Sequence, residues 1–363
     1  MVPALQPFSS FRRNTLTSYL HLAAPGARVF ARAALLLTGL FATGGVAAAG
    51  TLETVRQRGK IVCGVSEDAP GYAMREGKGE WSGLGIDFCK ALGVAVFGKA
   101  DAVTFTPLKR ADKLQALRAG TVDLLSGDDA ISASADTAQG VHFPVLLAYD
   151  GQGFMVRTAQ SISSALELSG MRVCVAAAHG DEEGALDYFA GLKIPIQIVK
   201  LDRWGDAVQA YEQKTCQVLT GNRSRLAAAR ARLPAPVEHL MLPELAARQG
   251  FGPVVRQGDE RWADIVRWSA FAMIAAEGLG VTSANADQQA GSSLPEVRRL
   301  LKGEQLSKSL GLEPGWPQRM IKMIGNYGEI YERNLGARST LRLERQLNNL
   351  AGKGGLHFAP SFR

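Results

Sequence analysis

No Cys-x-x-Cys pair occurs anywhere in the chain, nor a Gly-x-Gly-x-x-Gly turn, a Gly-Lys-Ser or Gly-Lys-Thr loop, or a His-Glu-x-x-His helix. Each absence removes a class. Without paired cysteines, zinc-ribbon and thioredoxin-like readings have no support. Without the glycine turns, neither the dinucleotide fingerprint nor the phosphate-cradling loop is present. The five histidines show no metal-ligand spacing. Many carboxylates are present, but none forms a pair recognisable as general acid and base. No cofactor, metal or catalytic residue is therefore expected, and a binding protein fits better than an enzyme.

Charge is also scarce where nucleic acid would need it. The formal net charge is +7, yet Arg12, Arg13, Arg28 and Arg32 lie in the first 49 residues, which hold no Asp or Glu. The remainder carries 37 Lys and Arg (41 less those four) against 34 acids. That excess of +3 is too small and too dispersed to bind a phosphate backbone. With 46% apolar and 21% charged residues, the 363-residue chain is neither disordered nor polytopic, and its length suits two domains.

Long apolar runs are missing too, with one exception. Residues 33–48 (AALLLTGLFATGGVAA) are uncharged, follow Arg28 and Arg32, and lead into Ala47-Ala48-Ala49 before Gly50. This has the pattern of a secretory signal with a small-x-small cleavage site, and it is shorter than the roughly 20 apolar residues that span a bilayer. Residues 1–49 are thus expected to direct export to the periplasm, with the mature chain starting near Gly50.

Export changes how the four cysteines read, because disulfides persist in oxidising compartments. Cys63 and Cys89 fall in one half of the mature chain, Cys174 and Cys216 in the other. Three pairings exist; Cys63–Cys89 with Cys174–Cys216 is favoured, since it staples each half without locking one to the other.

Strand and helix patterns alternate along both halves. Lys60–Val65, Val103–Thr106 and Val122–Leu125 read as strands around helices at 86–92 and 110–119. The grammar restarts with strands at 173–175, 196–199 and 218–220 and helices at 182–192 and 204–213. Alternation of this kind predicts α/β lobes with parallel sheets. Two glycine-punctuated segments, 149–156 and 248–255, read as crossings between the lobes. Lobe 1 would then comprise 50–150 plus about 253–363, and lobe 2 residues 151–252. Beyond Glu260 the chain reads as helical, at 260–278, 294–302 and 316–334.

These residues together resemble the family 3 periplasmic solute-binding proteins of polar and general L-amino-acid ABC importers. The resemblance rests on Ile86-Asp87-Phe88-Cys89-Lys90-Ala91, on Ala119 through Ser126, on Tyr149 through Val156, and on Gly325-Asn326-Tyr327-Gly328-Glu329-Ile330-Tyr331-Glu332-Arg333-Asn334. It covers nearly the whole mature chain. It implies a type II two-lobe fold that closes on a small ligand, such as an amino acid or amine, and delivers it to an inner-membrane permease and its ATPase. A monomer without nucleic-acid contacts is implied. An accessory or sensor protein on this fold is the alternative, and a lyase-type enzyme is a more distant one.

The ligand contacts depart from the family. Its carboxylate-clamping arginine, in a Ser-Arg-Asp-Thr stretch, is Ala135 here. The preceding Asn-Thr-Thr-Trp-Thr corresponds to Asp128-Asp129-Ala130-Ile131-Ser132. A Gly-Thr-Thr-Thr-Glu helix start corresponds to Ala178-His179-Gly180-Asp181-Glu182, and the ammonium-binding Asp to Asn222. Tyr72 occupies the place of an aromatic that packs on ligand. Losing both charge contacts removes roughly 3–6 kcal/mol, or about 10²- to 10⁴-fold in affinity for ordinary amino acids. Asp128 and Asp129 would make the first-lobe wall acidic and favour a cation lacking a carboxylate.

Overall fold

A computed structural model of the protein describes residues 50–362 except 76, 78 and 178–179. The expected signal, 1–49, and His179 therefore lie outside the described residues.

The chain enters through α1 (Thr51–Arg58) and β1 (Ile61–Val65), then makes a small antiparallel sheet of β2 (Asp68–Ala69), β3 (Ala73–Arg75) and β4 (Trp81–Ser82). Gly83 turns the chain at φ +130°, where a Cβ would meet the Tyr72 carbonyl oxygen at 2.2 Å, so only glycine fits there. Helix α2 (Leu84–Phe97), β5 (Val103–Pro107), α3 (Lys113–Arg118) and β6 (Leu124–Leu125) follow. The first sheet has the order β5-β1-β6, all parallel, as the alternating pattern predicts.

After α4 (Ala133–Ala138) and β7 (Val141–His142), the ten-residue β8 (Ala148–Arg157) carries the chain into a second sheet. There β9 (Arg172–Ala176), α5 (Asp181–Leu192), β10 (Gln197–Leu201), α6 (Trp204–Glu212), β11 (Val218–Asn222) and α7 (Arg223–Arg232) repeat the α/β grammar, followed by β12 (His239–Met241). Strands β10, β9 and β11 are parallel, but β8 joins antiparallel to β11 and β12 antiparallel to β8. The second sheet is therefore mixed, a correction to the all-parallel expectation. Strand β8, on which the chain enters this sheet, lies between β11 and β12 and runs opposite to both.

The two crossing segments pair with each other. Strand β13 (Ala247–Phe251) runs antiparallel to β8, with Asp150 opposite Gln249 and Tyr149 opposite Gly250. The chain then rejoins the first sheet, where Leu125 and Val254 exchange backbone hydrogen bonds of 2.9 and 3.0 Å, and β14 (Val255–Arg256) pairs with β7.

The C-terminal part is helical: α8 (Glu260–Gly278), α9 (Ala286–Gln289), α10 (Pro295–Lys302), α11 (Glu304–Leu310), α12 (Trp316–Ile324) and α13 (Tyr327–Asn334). The helix expected over 316–334 is in fact two. Gly325 adopts φ +106°, and Asn326 caps α13 by accepting from the Glu329 N–H while Glu329 accepts from the Asn326 N–H, a reciprocal capping box that starts a new helix. Buried Trp262, Trp316, Tyr327 and Tyr331 unite these helices with α2 and β1 in one core, while Phe154, Phe189 and Tyr211 anchor the second sheet.

Disulfides Cys63–Cys89 and Cys174–Cys216 pair as favoured from the sequence, with Cα atoms 6.5 and 5.7 Å apart. The first ties β1 to α2, and the second ties β9 to the loop just before β11. Among the described residues no helix is long and apolar enough to cross a membrane.

Candidate functional site

A cavity of about 330 Å³ lies at the C-terminal ends of β1 and β6, lined by Ser66 and Asp68 after β1, Arg110 and Lys113 at the start of α3, and the loop after β6. Ligand sites in open α/β sheets form at such strand ends, where connections splay apart. Of the eight ligand-contact positions anticipated from sequence, Asp128, Asp129, Ala130 and Ala135 meet around it.

The two aspartates are not free acids on a loop. Lys113 Nζ lies 2.8 Å from Asp129 Oδ1 and 3.2 Å from Asp128 Oδ1, with its side chain only 6% exposed. Ser66 Oγ donates to Asp128 Oδ1 at 2.5 Å, and Arg225 Nη2 stands 3.5 Å from Asp128 Oδ2. Burial alone would raise the Asp128 carboxyl, but Lys113, the Ser66 hydroxyl and Arg225 outweigh it and pull the group down to about 2. Asp129 shifts the other way: burial, helped by the neighbouring Asp128 charge, raises it against the pull of Lys113 and Arg110. Lys113, whose burial would lower it, is raised by the two carboxylates. The expectation of an acidic first-lobe wall is thus corrected. Lys109, Arg110, Lys113 and Arg225 face Glu67, Asp68, Asp128 and Asp129, so the lining is balanced in charge.

Arg225 comes from the other sheet. It sits on α7, which β11 launches directly, and donates through Nη2 to the backbone carbonyl of Asp68 at 2.8 Å. Asp150 on β8 fixes that helix by accepting from the N–H groups of Arg223 and Ser224 at 3.1 and 3.3 Å, a carboxylate at a helix N-terminus. Nearby, Asp181 opens α5 with its side chain buried and its Oδ2 unpartnered; burial lifts its carboxyl to about 7 against the opposing charges of Arg225 and Arg110.

Of the other anticipated positions, the described ones, Tyr72, Gly180 and Asn222, do not line this cavity. Tyr72 is buried against Phe251, with ring centroids 5.4 Å apart, and its hydroxyl donates to Asp150 Oδ2 at 3.4 Å, so it packs the crossing strands instead. Asn222 ends β11 opposite Gln152, without a capping hydrogen bond from its side chain. Gly180 precedes α5 at φ +74°. Ala135 brings no charge, as its methyl group requires. What sequence reading missed is the set of basic partners: Arg110 in the turn before α3, Lys113 at the first position of α3, and Arg225 three residues past Asn222. Only their fall at the ends of predicted strands and the starts of predicted helices could have signalled them.

Among the described residues no group of three or more His, Cys, Asp or Glu could hold a metal ion. The arrangement can bind, by charge pairing and hydrogen bonding, a small polar molecule between the two sheets.

Known proteins resemble this chain along most of its length. The model of bacterial extracellular solute-binding proteins, family 3, matches residues 61–280. The general L-amino acid-binding periplasmic protein AapJ of Rhizobium johnstonii is 41% identical over 320 residues, covering 87% of this chain and 94% of that relative. The glutamate/glutamine/aspartate/asparagine-binding protein BztA of Rhodobacter capsulatus is 38% identical over 321 residues, covering 88% and 95%. An ABC transporter periplasmic binding protein from Brucella ovis, solved with glutathione bound, is 40% identical with a TM-score of 0.80, covering 87% of this chain and all of that one. A cysteine-binding protein from Campylobacter jejuni, 18% identical with a TM-score of 0.51 over 69% of this chain and 97% of that one, shares the fold. The chain belongs to the bacterial extracellular solute-binding proteins, family 3.

Proposed function

We propose that this chain is the solute-binding component of an amino-acid-type ABC importer, exported by its first 49 residues. It captures a small polar solute between its lobes and passes it, as a monomer, to an inner-membrane permease driven by a cytoplasmic ATPase. Lobe 1 comprises 50–150 with about 253–363, lobe 2 comprises 151–252, and the paired crossing strands absorb the closure. The single observation that carries this reading is the cavity beside β1 and β6, whose charged lining includes Arg225 from the opposite sheet. A site assembled from both lobes changes when they move, so ligand affinity is coupled to closure. Its volume, about 330 Å³, sits at the lower end of the roughly 300–1,000 Å³ of small-molecule pockets and admits a short peptide as well as a single amino acid.

The test is a thermal-shift screen over amino acids, amines, polyamines and short peptides including glutathione, followed by calorimetry. A true ligand at 100 times its dissociation constant adds about 2.7 kcal/mol of stability. Failure of every compound to raise the unfolding temperature or release heat would overturn the reading.

A further inference from the structure

We propose that Asp129 and Arg110 are the specificity-determining contacts of the cleft, selecting a zwitterion whose ammonium docks on Asp129 Oδ2 and whose carboxylate docks on Arg110. This rests on the solute-binding reading and says which groups of the solute are recognised. It also moves both charge contacts away from Ala135 and Asn222, where the family resemblance would look for them.

The two neighbouring aspartates are not equivalent. Asp128 has both oxygens engaged, Oδ1 by Ser66 and Lys113 and Oδ2 by Arg225. Asp129 has Oδ1 on Lys113, while Oδ2 is buried with no hydrogen-bond partner among the described residues, on a side chain only 10% exposed. An unpaired carboxylate oxygen at that depth costs free energy that a donor restores. An ammonium offers three N–H donors and a compensating charge, which an amide or hydroxyl does not.

Arg110 is the complement. It lines the same cavity, is exposed, and makes no hydrogen bond or ion pair with any described residue. Its charge acts on Asp129 in the same lining, lowering that carboxyl against the effect of burial. A guanidinium presents a planar fork that accommodates a carboxylate with two parallel hydrogen bonds. Lys113 and Arg225 cannot serve as readily, since both are already committed to Asp128. Exposed Lys109 and Glu67 also line the cavity without partners, but among the described lining residues Asp129 Oδ2 is the buried unpartnered carboxylate oxygen and Arg110 the unpartnered guanidinium, and a zwitterion satisfies both where a polyamine or a simple anion leaves one unmatched.

The experiment is calorimetry on the full mature protein with L-glutamine and glutathione, each beside its N-acetylated form, and with glutaminamide. N-acetylation is expected to weaken binding at least about 30-fold, the scale of one charged hydrogen-bond contact. Asp129→Asn should weaken the free ligand by a similar factor and leave the acetylated form unchanged. Arg110→Ala should cost about tenfold for glutamine and nothing further for glutaminamide. Because the acetylated ligands are read against the wild-type protein, the contact is tested even where Asp129→Asn does not fold. Acetylated ligand bound within threefold of the free one, or Asp129→Asn within threefold of wild type, overturns the assignment. Binding of amines or polyamines but of neither zwitterion overturns it too, while the importer reading stands. Absence of binding by any compound overturns both.

Discussion

Arg225 Nη2 lies 2.8 Å from the backbone carbonyl oxygen of Asp68, so a side chain launched by the second sheet ends in the wall built by the first. The same nitrogen stands 3.5 Å from Asp128 Oδ2, and the Arg225 side chain is 9% exposed. A desolvated guanidinium between two lobes is a latch as well as a lining group. Each lobe supplies part of its surroundings, and opening the cleft would separate them.

Arg225→Ala should therefore favour the open arrangement without ligand. Hydrogen bonds to charged groups are worth about 1.5–3 kcal/mol, enough to shift a two-state balance by roughly 10- to 150-fold. Small-angle scattering of the ligand-free variant should show a larger radius of gyration than wild type. An unchanged radius would mean that Arg225 adds nothing to closure.

A second contact holds the crossing strands to the C-terminal region. Asn348 Oδ1 accepts from the Tyr149 N–H, and Asn348 Nδ2 donates to the Tyr149 carbonyl, both at 2.7 Å. The side-chain amide thus behaves as one more strand residue against β8. Asn348→Ala removes both bonds and strands a part-buried backbone pair, at a cost of about 2–3 kcal/mol. The urea midpoint should fall accordingly while the slope of the transition is unchanged. A midpoint that does not move would show that water replaces the amide at no cost.

The disulfides stabilise to different extents. In the chain-entropy treatment, closing the 26-residue separation of Cys63–Cys89 contributes about 3.5 kcal/mol and the 42-residue separation of Cys174–Cys216 about 4 kcal/mol. Replacing either pair with alanines should lower the unfolding temperature, and a reducing agent should affect wild type but not the variant lacking both pairs. Equal sensitivity of that variant to reductant would show that the agent acts elsewhere.

Local signals carried most of the fold but little of the site. Helix α8 is read over its full length from sequence, because its apolar positions repeat at helical spacing, and the structure adds the Asp259 cap at its start. The break at Gly325-Asn326 was invisible to periodicity, since α12 and α13 present apolar faces to the same core and only the Asn326–Glu329 cap separates them. The direction of β8 was equally hidden: an apolar run does not say which neighbour it will pair with. At the cleft, family-matched positions located Asp128 and Asp129, but their charge state depends on Lys113 and Arg225. Those partners are brought in by tertiary structure, and no spacing along the chain encodes them. A negative sign inferred from the acids alone was therefore neutralised by cations that the fold delivers.

Asp181 gives folding stability a pH dependence whose direction can be worked out. Its carboxyl ionises near 3.8 in an unfolded chain, and burial raises it to about 7 in the folded one. Between those values the unfolded chain has released the proton that the folded protein holds. Stability from this group is thus complete below 3.8 and is lost as pH rises towards 7. At about 1.36 kcal/mol per unit the ceiling is about 4 kcal/mol, and relaxation around the carboxylate makes about 1–2 kcal/mol the realistic loss. Asp128 and His357 are among the groups that act in the opposite sense. Asp128, held near 2, withdraws stability as pH falls below 3.8. His357, which burial and the Arg345 charge lower to about 4, withdraws it as pH falls from 6.5. The wild-type profile mixes these with other shifted groups, Asp129 and Asp150 among them, so the informative quantity is the difference from Asp181→Asn, in which one titration is removed. That difference should be small at pH 4 and grow through pH 7 in favour of the variant, as read by urea unfolding at each pH. A difference that is constant from pH 4 to 8 would place the Asp181 carboxyl in water, with no raised ionisation to remove.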